Sequence, residues 1–81
     1  MKGLRPYDPA GEPRVVNTRP VAGGVDVEIE LAFHTFRVHV REGQAEYPFR
    51  WEDGTSNFHI GEKGMRARVE SLALAAAEGE A

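Results

Sequence analysis

Residues 25–60 read VDVEIELAFHTFRVHVREGQAEYPFRWEDGTSNFHI, and the alternation of apolar and polar side chains in this stretch predicts an antiparallel meander. The pair Asp53-Gly54 is typical of a two-residue hairpin turn, because such a turn needs residues that accept a positive φ. A hairpin about this turn places Phe49 opposite Phe58. Strand side chains alternate with a period of two, so one face collects a set of apolar residues: Tyr47, Phe49, Trp51, Phe58 and Ile60.

An earlier turn is predicted at residues 42–43, where Glu precedes Gly. Folding back about this pair sets Val40 opposite Ala45 and Phe36 opposite Phe49. The apolar face therefore continues from one strand to the next without a change of side.

The connection between the strand that ends at Phe33 and the strand that begins at Phe36 can be interpreted in two ways. Apolar residues occupy odd positions up to Phe33 and even positions from Phe36. This change of phase indicates either a bulge in one long strand or a tight turn at residues 34–35. The turn is favoured, although it contains neither Gly nor Asn, because it sets Glu30 opposite His39 on the polar face.

The chain before residue 25 divides in two. Residues 1–13 contain three prolines and two glycines, which predicts a flexible N-terminal arm. Residues 14–22 form a candidate edge strand, since Pro20 cannot donate to a β-ladder. A turn at Gly23-Gly24 would place Val16 on the core face.

The C-terminal part has helical periodicity. Met65, Val69, Leu72 and Ala76 fall on one face of a helix predicted over residues 62–77, while Leu74 lies off this stripe and suggests a second contact.

The predicted fold class is α+β, a five-stranded antiparallel meander with one C-terminal helix packed across one face, in a single domain of residues 14–81. The predicted strands are 14–22, 25–33, 36–41, 44–52 and 55–60.

Composition narrows the classes of function. The 81 residues include no cysteine, which excludes disulfides and thiolate chemistry from this chain. A net charge of −3 argues against an electrostatic grip on nucleic acid. No signal peptide or membrane span is recognised, so we expect a cytoplasmic protein without membrane partners. Many Glu and Arg residues with few Asn and Gln are compatible with a thermophilic source, and a GC-rich genome explains the Arg bias equally well.

The face opposite the predicted helix is polar, and its simplest interpretation is a solvated surface of cross-strand charge pairs. The candidate binding residues on it are the following: Arg37, His39, Arg41, Arg50 and His59. No catalytic signature is present, so we predict a non-catalytic interaction module rather than an enzyme, with no cofactor and no metal. We expect a homodimer, because chains of this size are marginal alone, through the open face, the edge strand 55–60 or the helix flank at Leu74.

Two alternatives remain at this point. A single-stranded nucleic-acid-binding domain would use Arg37, Arg41 and Arg50 on the open face, with histidines that stack on bases. A small enzyme or metal-binding protein would be centred on His39, with imidazole and carboxylates on neighbouring strands.

Overall fold

The structure is a computed structural model that describes residues 12–54 and 56–80. Most of the predicted N-terminal arm and residue 55 therefore lie outside the described residues. The described part has six strands and one helix: β1 (Arg14–Val21), β2 (Gly24–Leu31), β3 (His34–Arg41), β4 (Gln44–Ala45), β5 (Phe49–Trp51), β6 (Asn57–Phe58) and α1 (Lys63–Glu80).

The strands form one antiparallel sheet in the order β1-β2-β3-β5-β6, with β4 paired to β3, and α1 packs across one face. This confirms the predicted α+β meander, including its sequential order and its edges at β1 and β6. Among the described residues, no helix is long and apolar enough to cross a membrane.

The predicted strand 44–52 is divided in the structure. β4 ends at Ala45 and β5 begins at Phe49, and between them Pro48 has no N–H to donate to a ladder. The peptide bond between Tyr47 and Pro48 is cis. The interruption shifts the later pairing by two residues, so Phe36 lies opposite Trp51 and not opposite Phe49 as predicted. Because side chains alternate with a period of two, a two-residue shift in the pairing of β3 with β5 keeps the side chains of β5 on their predicted faces.

The turn between β2 and β3 differs from both interpretations of the sequence. It lies at Ala32-Phe33, where both residues have positive φ (54° and 68°). His39 consequently lies opposite Asp26, and Glu30 lies opposite Thr35. The predicted turn at residues 34–35 and the observed turn are two residues apart. The apolar-polar alternation cannot distinguish them, because both turns leave each side chain on the same face of the sheet. The observed turn aligns β2 and β3 over nearly their whole length.

The turn between β1 and β2 is also displaced by one residue, because β2 already begins at Gly24 and pairs it with Val21. Gly24 has a packing role instead. A Cβ atom built on it would lie 2.0 Å from the carbonyl oxygen of Val40 in β3. The second glycine of the pair is thus required by a neighbouring backbone.

The prediction for Val16 is wrong, since this side chain is 45% exposed. An irregularity in the β1–β2 pairing lies between Val15 and Asn17 and turns Val16 out of the ladder. Val15 packs against the core in its place.

The core lies between α1 and the sheet. Its buried side chains are the following: Val27, Ile29, Leu31, Phe36, Val38, Val40, Phe49, Val69, Ala73 and Ala77. The helix runs to Glu80, three residues beyond the predicted end. The carboxylate of Glu62 caps its start by accepting a hydrogen bond from the N–H of Met65 (2.6 Å). Leu74 packs against the same core, so its position does not require a second subunit.

The helix does not cover the sheet evenly. It packs on β1 to β4, and the sheet face of β5 and β6 is closed mainly by aromatic rings. Phe58 stacks on Phe36, with ring centroids 4.3 Å apart. Trp51 meets Phe58 edge to face at 4.7 Å and is only half-buried, although it lies on the apolar face as predicted.

Candidate functional site

The open face of the sheet carries charged side chains in cross-strand rows. One row crosses five strands and contains Asn17, Glu28, Arg37, Arg50 and Asn57. Because the β2–β3 register differs from the prediction, the expected contact of Glu30 with His39 is absent from the pairing.

The rows meet in a concave region that we call the open-face depression. It has a volume of about 610 Å³. Its lining residues are Arg37, His39, Glu46, Tyr47, Pro48, Arg50 and Asn57. Three of the five predicted binding residues, Arg37, His39 and Arg50, thus come together. The depression lies where the chain leaves the ladder between β4 and β5.

Arg37 and Arg50 are directly opposite each other on β3 and β5. Like charges in this position destabilise a sheet. Nε of Arg37 lies 3.5 Å from an oxygen of Glu28, close enough for a charge contact. The angle of this contact does not allow a hydrogen bond. Among the described residues, the buried Nε of Arg37 therefore has no hydrogen-bond acceptor. The pair is therefore incompletely neutralised.

Arg50 is the less compensated of the two. It is exposed, and in the described part of the chain it has no carboxylate within ion-pair distance. The other described arginines each have one within 3.5 Å: Arg14, Arg19, Arg37, Arg41, Arg66 and Arg68. The guanidinium of Arg50 is consequently available to an external anion.

His39 joins the depression to β2. Its Nδ1 lies 2.8 Å from a carboxylate oxygen of Asp26. The side chains of His39 and Asp26 are 27% and 21% exposed, so His39 is more buried than expected for a residue of a solvated face. Since Nδ1 is engaged, Nε2 is the ring nitrogen that remains for a ligand. The carbonyl oxygen of His39 accepts a hydrogen bond from the N–H of Glu46 (2.8 Å).

The other two predicted binding residues lie outside the depression. Arg41 forms an ion pair with Glu46 at its rim. His59 is exposed and meets the ring of Tyr47 edge to face, with centroids 5.7 Å apart. The structure therefore does not gather all five predicted residues in one site.

Tyr47 forms a wall of the depression that sequence reasoning placed in the core. Its hydroxyl accepts a hydrogen bond from the N–H of Ile60 (2.9 Å). The guanidinium of Arg66 in α1 lies 3.7 Å from its ring centroid, a cation–π contact. The signal that pointed here was Pro48, since a proline inside a predicted central strand marks an interruption of the ladder.

The arrangement favours binding of an anion. Two guanidinium groups, an amide and an imidazole line one concavity, and all of them can donate hydrogen bonds when the imidazole is protonated or suitably tautomeric. Within residues 12–54 and 56–80, no three His, Asp or Glu side chains converge as a metal site.

Comparison of the chain with models of protein families, with curated proteins and with solved structures finds no match.

Proposed function

We propose that this protein is a non-catalytic interaction module whose open-face depression binds an acidic side chain of a protein partner. The observation that carries the proposal is the opposition of Arg50 and Arg37, with no carboxylate near Arg50 in the described chain. A bound carboxylate would offset the repulsion between the two guanidinium groups. It would also match the planar donor geometry of arginine.

A carboxylate suits this site better than an extended polyphosphate backbone. Glu46 lines the same depression, and Glu28 lies behind Arg37. These negative groups repel a chain of phosphates more strongly than they repel a single carboxylate. The net charge of −3 also repels a polyphosphate chain, and it does so at longer range.

The first partner to test is a second copy of the chain. It carries 13 acidic residues, and small domains bury only a modest fraction of their surface alone. We propose a homodimer on this basis. Multi-angle light scattering over a range of concentrations should give twice the chain mass, and a monomer mass throughout would remove the homodimer while leaving the carboxylate site to be tested separately.

The carboxylate site is tested by fluorescence anisotropy of a short labelled oligoglutamate peptide. We expect saturable binding that weakens as salt is added. Arg50→Gln should lower the affinity about tenfold or more, since hydrogen bonds to charged groups contribute ~1.5–3 kcal/mol.

The matched control is Arg14→Gln, which removes the same charge from the same face at a distance from the depression, where Arg14 pairs with Glu30 at 2.8 Å. It should change the affinity much less than Arg50→Gln. Equal losses in the two variants would indicate attraction by net charge alone and would contradict a specific site.

A second candidate, binding of single-stranded nucleic acid, is favoured by one observation. The exposed ring of His59 lies beside Tyr47 at the edge of the depression, where it can stack on a base next to a phosphate held by Arg50.

A labelled mixed-sequence oligonucleotide distinguishes this candidate from the carboxylate site. If it binds with an affinity that falls steeply from low to physiological salt, and if Arg41→Gln weakens it as much as Arg50→Gln, the phosphate interpretation is correct. Absence of salt-sensitive binding at either concentration would remove it.

A further inference from the structure

The lining of the open-face depression includes a single histidine, His39, beside two arginines. Histidine is the side chain that ordinarily changes its charge between about pH 5 and pH 8, whereas arginine stays protonated throughout this range. The capacity of the depression to donate hydrogen bonds to an anion therefore depends on the protonation state of His39.

The contact with Asp26 decides which nitrogen of the neutral ring carries the proton. Nδ1 lies 2.8 Å from a carboxylate oxygen of Asp26, and an ionised carboxylate only accepts hydrogen bonds. The proton of the neutral ring is therefore assigned to Nδ1, which leaves a lone pair on Nε2. When the ring is protonated, Nε2 carries a proton as well. Nε2 thus changes from a hydrogen-bond acceptor to a donor, while Nδ1 keeps its partner.

Charged side chains from every neighbouring strand share the open face with this pair. They are Arg19 on β1, Glu28 on β2, Arg37 and Arg41 on β3, Glu46 after β4, and Arg50 on β5. The arginines on β1 and β3 each have a carboxylate of this set within 3.5 Å. In the described part of the chain, Asp26 is the one carboxylate within ion-pair distance of His39.

Protonation of His39 also changes the charge next to the anion site. While the ring is neutral, the negative charge of Asp26 is uncompensated by the ring and repels an incoming carboxylate. Once the ring is protonated, His39 and Asp26 form an ion pair with no net charge. The repulsion therefore falls at the same step at which Nε2 becomes a donor, and both changes favour a bound anion.

We propose that His39 makes the carboxylate site pH-dependent, because its ring acts as a third donor beside Arg37 and Arg50 only when it is protonated. The inference rests on the proposed function of the open-face depression and adds the regulation of that site. An acidic side chain of a partner is bound more tightly at mildly acidic pH than at mildly alkaline pH.

The test is fluorescence anisotropy of the labelled oligoglutamate peptide at constant ionic strength, from about pH 8 to about pH 5.5. Glutamate side chains of the peptide stay largely ionised in this range. The affinity of the wild-type protein should rise about tenfold as the pH falls, as expected for one added hydrogen bond between charged groups. In His39→Gln, whose side chain does not titrate, the affinity should stay nearly constant.

An affinity that is independent of pH in the wild-type protein, while Arg50→Gln still weakens binding, would overturn the role of His39 and leave the carboxylate site intact. Absence of peptide binding at every pH would remove the carboxylate site, and this inference with it.

The matched control is His59→Gln. It removes a second histidine by the same substitution, and His59 is exposed and does not line the depression. This variant should keep the pH dependence of the wild-type protein. If His39→Gln keeps it to the same extent, the rise in affinity comes from net charge or from the peptide, and the proposal is overturned.

Proton exchange on binding tests the proposal without any variant. A ligand that prefers the protonated ring must, by linkage, increase the number of protons bound by the protein. A carboxylate that binds to arginine releases protons instead, so the sign separates the two sources. Isothermal titration calorimetry at about pH 6.5, in buffers of different ionisation enthalpy, should show net proton uptake. Net release, or no exchange, would overturn the proposal.

Discussion

The two halves of the sheet differ in length, cover and pairing. β1, β2 and β3 have eight residues each and lie under α1, whereas β5 and β6 have three and two residues and lie beyond its main contact. The first half holds most of the buried sheet residues. The second half holds half-buried rings and Arg50, the arginine without a described carboxylate partner. Regular pairing and helix cover thus stabilise the fold in one half, and the open-face depression reaches into the other.

This division follows from a general property of small domains. Binding surfaces need accessible polar or aromatic groups, and such groups are available where packing is least complete. In the covered half most open-face charges are paired across strands, as for Arg19 with Glu28 and for His39 with Asp26. In the short half the pairing is incomplete, which leaves charge and aromatic area for a partner.

The largest expected effect is on stability and compares two stacked rings. Phe36 is fully buried, so Phe36→Ala should lower the free energy of unfolding by about 3–5 kcal/mol. Phe58 is half-buried in the short half, so Phe58→Ala should cost about half as much or less. Urea denaturation measures both. Equal losses would break the distinction between a stabilising half and a half that serves binding.

A second comparison uses one glycine from each half. Gly24→Ala places a Cβ against the backbone oxygen of Val40, so β2 and β3 must separate, at a cost of about 3 kcal/mol or more. Gly54→Ala keeps ordinary contacts, the nearest being 3.6 Å from Arg37, and is penalised mainly by its φ of 76°, at about 1 kcal/mol.

Thermal melting and urea denaturation of the two glycine variants should rank Gly24→Ala as the more destabilised. The reverse order would mean that the β2–β3 ladder is looser at this end than the structure shows.

The smallest expected effect is an increase in stability. Arg50→Gln removes one of two opposed positive charges, so the free energy of unfolding should rise by about 0.2–1 kcal/mol at low salt. The gain should shrink as salt is added, because exposed charges are screened. Arg14→Gln, which breaks a surface ion pair, should instead lower stability by less than about 1 kcal/mol. A loss of stability in Arg50→Gln would show that its charge is already compensated.

Several features of the fold were predictable because they depend on neighbouring residues. The pairing of Val40 with Ala45 follows from the Glu-Gly turn at 42–43, and the pairing of Phe49 with Phe58 follows from the turn signal near Gly54. The β5–β6 hairpin closes through the hydrogen bond from the N–H of Trp51 to the carbonyl of Ser56, as this register requires.

The candidate site was predicted only in part. Arg37, His39 and Arg50 were named from their positions on the polar face, but the opposition of Arg37 and Arg50 was missed. It depends on the two-residue shift at Pro48, which the alternation of faces does not reveal. Phe33 was assigned to a strand, because a turn of Ala and Phe with two positive φ values has no propensity signal.

The sequence alone determined the class of the elements, their order and the face that most strand side chains occupy, because these depend on periodicity within a few residues. Only the tertiary structure decided the register of β2 on β3, the exposure of Val16 and the extent of helix cover. These are set by the pairing and packing of residues distant in the chain, and turns two residues apart satisfy the same local pattern. The charge pairs of the open face, and with them the candidate binding site, depend on this register.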